Sequence, residues 1–416
     1  MSNITTQSGF RTVSPFYRPF QTRIKGRWIG KTLVEVYTRD FGEKEPNVIH
    51  DIKTNKLYLI NQKPKQQPTE YRGWEVLSTR KIEMQDIICH MKHMHEAQVP
   101  WPTDRERIPI VFENDELVVV NKPSGIPTHP SGNYNLNSVS EILKLERGSE
   151  SIWACHRLDK VTSGVLILAK AKGALSRIMK LIRDEKGTIK KRYLARVSGE
   201  FPEGRIVVNC PVFSINTNGG YLKPSNIENL PTDSTTIFTR ISYNKELDQS
   251  VVLCEPLTGK FHQIRIHLRN LGHPIANDFV YNAKADVTDD VMRQKIALEV
   301  ELYEMVFTAY PQFKGFHKLD CNPLGSETTI NVLDAINWNS DPSLKSRIGE
   351  IGEAQEKYIA SRKSTNSICT ECNRTLFDGD TGIKSEVWLH ALSFTCQDDN
   401  GNQLHFETDY PEWSYI

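Results

Sequence analysis

An α+β fold is predicted for this 416-residue chain on three observations. Strand-like and helix-like stretches follow one another without regular βαβ alternation, and no glycine-rich nucleotide loop opens a helix. Short apolar runs rich in branched residues, such as Val165-Leu166-Ile167-Leu168, read as buried strands. No period of the kind that marks solenoids or propellers recurs. The composition, 38% hydrophobic and 25% charged, is that of a globular chain large enough for more than one domain. No run approaches the roughly 20 apolar residues of a membrane helix. The start lacks an apolar h-region, so secretion is not expected. The eight cysteines are scattered, which suits reduced thiols in a cytoplasmic, nuclear or organellar protein.

Taken in order, residues 1–28 form a basic arm. Residues 1–34 carry six Lys/Arg and no acid, which fits a mitochondrial presequence, while the aromatics and prolines of "SPFYRPF" fit a packed or RNA-touching arm. Residues 29–99 read as a small αβ module, with a helix in "KTLVEVYTRDF" and strands in "NKLYLINQKP" and "YRGWEVLSTRKI". "VPWPTDRERIP", residues 99–109, suits a linker. A large unit then occupies 108–416. "LVVV" is a buried strand and "NKPSG" a turn. "WACHRLDKVTSGVLILAK" is a loop running into an apolar strand, and "GALSRIMKLIRDEK" is an amphipathic helix with cations outward. Strand, turn and helix follow through "IKKRYLARVSG" and "SVVLCEPLTGKFHQIRIHLRNLGHPIAND". Residues 282 to about 366 are polar and read as an insertion, with one helix near "EIGEAQEKYIASRK". The strand in "SEVWLHALSFTC" is expected to rejoin the main sheet.

Net charge is only +1, but residues 170–196 hold ten Lys/Arg against two acids, and residues 341–416 hold seven against thirteen. A basic centre of this kind can hold a polyanion, although a charge run is ordinarily a solvated face. Within "HRLDKVTSG", His156, Arg157 and Asp159 fall within four positions, just before the apolar strand. Cations beside Asp159 favour its ionised form. At the mouth of a strand it would be positioned and partly desolvated, as a nucleophile or base requires. A plain Arg–Asp ion pair at a Thr-Ser turn leaves the same local pattern, so the motif alone does not decide.

Four blocks do. "VVNKPSGIPTHP", "HRLDKVTSGVLILAK", "KRYLARVSGEF" and "LTGKFHQIRIHLRNLGHPIAND" occur in that order, followed by "WLHALSF". Together they resemble the RluA family of RNA pseudouridine synthases, from about Ile110 to Asp278 and again at the late strand. Residues 29–99 resemble the S4-like RNA-binding module that often precedes this catalytic domain, closed by "MHE" at 94–96. "GRWIGKTL" and a "C.EC" before "LHA" are similar to the eukaryotic, fungal-like tRNA-modifying branch. The resemblance implies a central mixed, mainly antiparallel sheet with a cleft along it. It also implies isomerisation of uridine to pseudouridine without cofactor or metal. The expected substrate is an anticodon stem-loop uridine of tRNA, at position 31 or 32. Mitochondrial or ribosomal RNA is an alternative, as is a non-catalytic tRNA chaperone. A monomer without membrane or small-molecule partner is expected.

By the same resemblance Asp159 is the catalytic carboxylate, attacking C1′ of the ribose or taking a proton from C2′. Tyr193 stacks on the flipped uracil, and Arg265 forms the ion pair that keeps Asp159 charged. Arg157 fills the space the base vacates. His156, Thr162, Lys191, His262, Gln263 and Lys122 are expected substrate contacts, and the 170–196 segment lies along phosphates. Family members commonly carry Arg where this chain has Lys260, which keeps the charge and loses the bidentate fork. Cys369 and Cys372 form a CxxC whose only nearby further ligands in sequence are His390 and Cys396. Reduced structural thiols are the expectation there, and no metal site is expected.

Overall fold

The computed structural model describes residues 4–102, 107–183, 189–214, 229–231, 234–314, 329–331, 335–336, 341–361, 368–374, 386–397, 401 and 403–416. The chain divides into two compact units. One comprises Met1–Gln7, Arg11–Gln98 and Lys363–Thr381, and the other Ser8–Phe10, Val99–Arg362 and Gly382–Ile416. Residues 363–381, read from sequence as part of the large unit, thus belong with the first.

The first unit packs two helices on a four-stranded antiparallel sheet. Its elements are β1 (Phe16–Arg23), α1 (Leu33–Asp40), α2 (Glu45–Lys53), β2 (Leu57–Asn61), β3 (Thr69–Tyr71) and β4 (Asp86–Met94), with strand order β1-β4-β2-β3. α1 starts at a capping box: Glu35 N–H donates to Thr32 Oγ1, and Thr32 N–H donates back to the Glu35 carboxylate. Leu33, Val36, Ile52, Leu57 and Leu59 close the core beneath. "YRGWEVLSTRKI" is not the expected strand. Gly73, at φ +81°, turns the chain out of β3 into a short helix at Trp74–Leu77. The long strand β4 follows instead.

The second unit is built on a ten-stranded sheet. Its strands are β5 (Ile110–Glu113), β6 (Leu117–Lys122), β7 (Trp153–Ala154), β8 (Ser163–Ala169), β9 (Lys190–Ser198), β10 (Arg205–Asn209), β11 (Thr235–Asn244), β12 (Gln249–Pro256), β13 (Leu389–Gln397) and β14 (Gln403–Glu407). The main path runs β10-β11-β12-β9-β13-β8-β6-β5, with β7 on β8 and β14 on β13. Only β8 and β13 run parallel among these pairs. The sheet is therefore mixed and mainly antiparallel, and the late strand lies at its centre.

Helices α3 (Val139–Arg147), α4 (Lys172–Arg183), α5 (Gln263–Asn270), α6 (Asp290–Ala309) and α7 (Pro342–Ser361) accompany the sheet. The expected insertion is more than a polar excursion. Leu298, Leu302, Tyr303 and Val306 of α6 and Leu344, Ile348 and Ile351 of α7 share one core with Phe201, Phe238 and Ile266. Buried Glu299 of α6 pairs with Arg269 of α5 and lies 3.5 Å from Lys295. Charges of both signs on the buried side of α6 hide its apolar stripe in the sequence.

Candidate active site

Asp159 lies in the loop leading from β7 into β8, and main-chain hydrogen bonds hold that loop. Thr162 N–H donates to the Asp159 carbonyl at 3.1 Å, and Gly125 N–H to the Lys160 carbonyl at 2.8 Å. Thr128 Oγ1 accepts from Leu158 N–H at 3.1 Å and donates to the Leu158 carbonyl at 2.9 Å. Gly164 lets this loop enter the sheet. Its φ is +107°, and a Cβ there would stand 2.2 Å from the Ala391 carbonyl oxygen on β13. A β-bulge between Arg192 and Tyr193 meets the same stretch of β13, pairing Tyr193 with Ala391. Bulges re-aim side chains, and this one falls at the tyrosine the sequence selected.

The facing wall is the start of α5. Arg265, 2% exposed, donates through Nε and Nη2 to both oxygens of buried Asp278, at 2.7 and 2.8 Å. Its Nη1 lies 3.7 Å from Asp159 Oδ2 and 3.3 Å from His262 Nε2. His262, at φ +51°, occupies the left-handed region directly before the helix. Burial first, then Arg265, Lys295 and Arg157, drive its pKa down to about 2. Its ring is therefore neutral, with Nε2 accepting from Arg265 and Nδ1–H donating to Tyr281 Oη at 2.8 Å. The Asp159–His262 approach of 3.5 Å is consequently not an ion pair.

Between the walls opens a cleft of about 270 Å³, lined by Arg157, Asp159, Thr162, Lys191, Tyr193, Pro256 and the segment Thr258–Arg265 among others. That is close to the lower end of small-ligand cavities, about 300 Å³, and suits one everted nucleoside. Burial pushes the Asp159 carboxyl up, while Arg265, then Arg157 and Lys122, draw it back without offsetting burial. This corrects the expectation of a depressed carboxylate, because Arg265 gives its short bonds to Asp278. The Asp159 side chain is still 23% exposed to the cleft. Tyr193 is pushed up by burial and then by Asp159.

The structure brings Asp159, Tyr193, Arg265, Arg157, Thr162, Lys191, His262 and Gln263 to one cleft. Three of the expected substrate contacts also bond within the protein. Lys122 is fully buried, its ammonium donating to the Pro123 and Lys160 carbonyls at 2.8 and 3.0 Å, and burial lowers its pKa to about 7. Gln263 spends its amide on Thr258, the Lys260 N–H, Thr235 and Thr236. His156 Nε2 accepts from the Ile167 N–H at 3.2 Å, behind the loop. Several described cations of the 170–196 segment are engaged within the protein. Lys170, Arg177 and Arg192 pair with Glu113, Glu116 and Glu255, and Arg196 lies over the Trp388 ring.

Two site residues escaped the sequence reading. Asp278 ends the "PIAND" block, and only its partner Arg265 shows its purpose. Phe261, 64% exposed at the cleft, stacks on His262 with ring centroids 3.7 Å apart. An apolar residue inside a cationic turn was its signal. The histidine and the cysteine nearest the CxxC in sequence lie elsewhere in the fold. His390 bonds Ser163 Oγ and Thr408 Oγ1, and Cys396 lies in the core beside β8. Cys369 and Cys372 are met by His93 and His95.

The fold and this cleft set one partly buried carboxylate beside a buried arginine. A family model for RNA pseudouridylate synthases matches residues 116–270. Mouse pseudouridylate synthase RPUSD2 is 36% identical over 98% of this chain and 72% of its own length. The tRNA pseudouridine(31) synthase of Saccharomyces cerevisiae is 30% identical over 99% and 97%. The mitochondrial tRNA pseudouridine(32) synthase of that yeast is 30% identical over 99% and 78%. The chain belongs to the RNA pseudouridine synthase family and is an isomerase.

Proposed function

We propose that this chain isomerises a uridine of the tRNA anticodon stem-loop, at position 31 or 32, to pseudouridine. The observation that carries the chemistry is the Asp159 carboxylate, partly exposed on the cleft floor 3.7 Å from Arg265. The names of the two yeast relatives support the tRNA substrate, and one of them supports a mitochondrial pool. Residues 29–99 serve as an S4-like RNA-binding module.

The everted uridine enters with its ribose over Asp159, and Arg157, exposed at the rim, takes the space left in the stack. The C1′–N1 bond breaks as Asp159 adds to C1′ or removes the C2′ proton. The uracil turns and C5 joins C1′ as the Asp159–C1′ bond breaks or the proton returns to C2′; the C5 proton leaves and N1 takes one up. Nothing is oxidised and no atom is gained, so the reaction balances without a co-reactant. Tyr193 stacks on the turning base. Arg265, fixed by Asp278, holds the charge of Asp159 through both steps.

The test is mapping by carbodiimide-adduct primer extension on total RNA and tRNA transcripts incubated with wild-type protein or Asp159→Asn. Modification at 31 or 32 with wild type alone supports the proposal. Modification confined to ribosomal RNA replaces the substrate. Binding without any isomerisation by the wild type leaves a chaperone.

A further inference from the structure

We propose that His93, His95, Cys369 and Cys372 form a structural zinc site within the first unit. One ligand atom from each lies within 4.8 Å of every other. His95 Nε2 is 3.3 Å from Cys372 Sγ, and His93 Nδ1 is 3.5 Å from Cys369 Sγ. A tetrahedral zinc ion, with bonds of about 2.3 Å to sulfur and about 2.0–2.1 Å to nitrogen, sets sulfur–nitrogen edges near 3.6 Å. The four groups already stand close to that polyhedron.

Local structure explains how they arrive there. His93 lies in β4 and His95 directly follows its last residue, Met94; alternate residues of an extended chain project to one side. Cys369 and Cys372 sit on a tight turn, in which the Asn373 N–H donates to the Cys369 carbonyl at 2.9 Å and Asn373 adopts φ +56°. The remaining ring nitrogen of His93 faces the Glu371 carboxylate at 3.9 Å. Ligating histidines usually direct the nitrogen that does not bind metal at such a group. His93 is also stacked on Tyr17, centroids 4.5 Å apart. His50 Nε2 donates to the Glu371 carbonyl at 3.0 Å, holding the turn from its other side.

Two thiolates and two imidazoles select zinc over hard cations such as magnesium and calcium. Four protein ligands leave no open coordination position, so the ion supplies structure and no chemistry. None of the four lines the uridine cleft. The effect is to staple residues 368–374 to a strand that precedes them by most of the chain.

Full-length protein purified in metal-free buffer is expected to contain about one zinc per chain by plasma mass spectrometry. Exchange with Co²⁺ is expected to give the intense visible bands of a tetrahedral ion and thiolate-to-metal charge transfer. His95→Cys keeps the ion and strengthens the charge transfer. The double variant Cys369→Ser, Cys372→Ser loses the ion, whereas His405→Ala, at an exposed histidine elsewhere, keeps it. Wild-type protein with little zinc and no tetrahedral Co²⁺ spectrum overturns the proposal, and needs no variant to fold. Full zinc in the double cysteine variant overturns it equally.

Discussion

Replacing Gly164 by alanine tests how the sheet positions the catalytic loop. The added Cβ would lie 2.2 Å from the Ala391 oxygen and 2.6 Å from its nitrogen, both main-chain atoms, where real contacts stay above 3.0 Å. No side chain can swing aside, so β8 and β13 must part by about 0.8 Å at the crossing that pairs Ser163 with His390 and Gly164 with Ala391. A backbone angle that L-residues avoid costs about 1–3 kcal/mol. Losing two ladder hydrogen bonds costs about 0.5–1.5 kcal/mol each, so the loss is about 2–6 kcal/mol. Tyr193 pairs with the same Ala391, so turnover should fall with stability. Urea unfolding followed by tryptophan fluorescence, beside an isomerisation assay, measures both. Gly349→Ala, in the open on α7, is the control and should stabilise by about 0.5–1 kcal/mol. A Gly164→Ala protein with wild-type midpoint and turnover would refute the packing argument.

Asp159→Asn should abolish isomerisation and leave the fold at least as stable at pH 7. A carboxyl raised by burial contributes stability in acid and loses it as pH rises through the folded value; a large drop in midpoint at pH 7 contradicts this. For the same reason wild-type turnover should fall on acidification through that raised value, read from a pH–rate profile. Lys122, lowered to about 7 against an ordinary 10.5, releases its proton more easily folded than unfolded. Its contribution to stability therefore rises from about pH 7 to 10.5, and Lys122→Met should remove that rise in urea midpoints. Phe261→Ala should cost about 1–3 kcal/mol of base stacking, or about 5- to 150-fold in kcat/KM; unchanged kinetics would exclude Phe261 from the RNA interface. Asp278→Asn strands the Arg265 charge in the interior and should destabilise by about 3–5 kcal/mol, measured by denaturation.

The sequence was most informative where local pattern and chemistry coincide. Val165–Leu168 could only be a buried strand, "GALSRIMKLIR" only an amphipathic helix, and "HRLD" with "HQIR" named both walls of the cleft. What stayed hidden depends on partners distant in the chain. Nothing near Asp278 announces that it takes the short bonds of Arg265, leaving Asp159 with the longer contact. Lys122 reads as a substrate contact from sequence, whereas its ammonium donates to the Pro123 and Lys160 carbonyls. The CxxC suggested its neighbours in sequence, whereas its companions lie on β4. Helix α6 was missed because Lys295 and Glu299 interrupt its apolar face while being buried themselves.

Arg374, in the segment that returns to the first unit, donates to buried Asp51 at 2.7 Å, and Asp51 also takes His90 at 3.1 Å. Everything from Val99 to Arg362 is translated between these partners. The first unit is thus completed only after residues 99–362 have been made, its interior acid waiting for a cation 323 residues downstream. A fragment cut at residue 98 would keep the acid and lack its guanidinium, a poor surrogate for the native module.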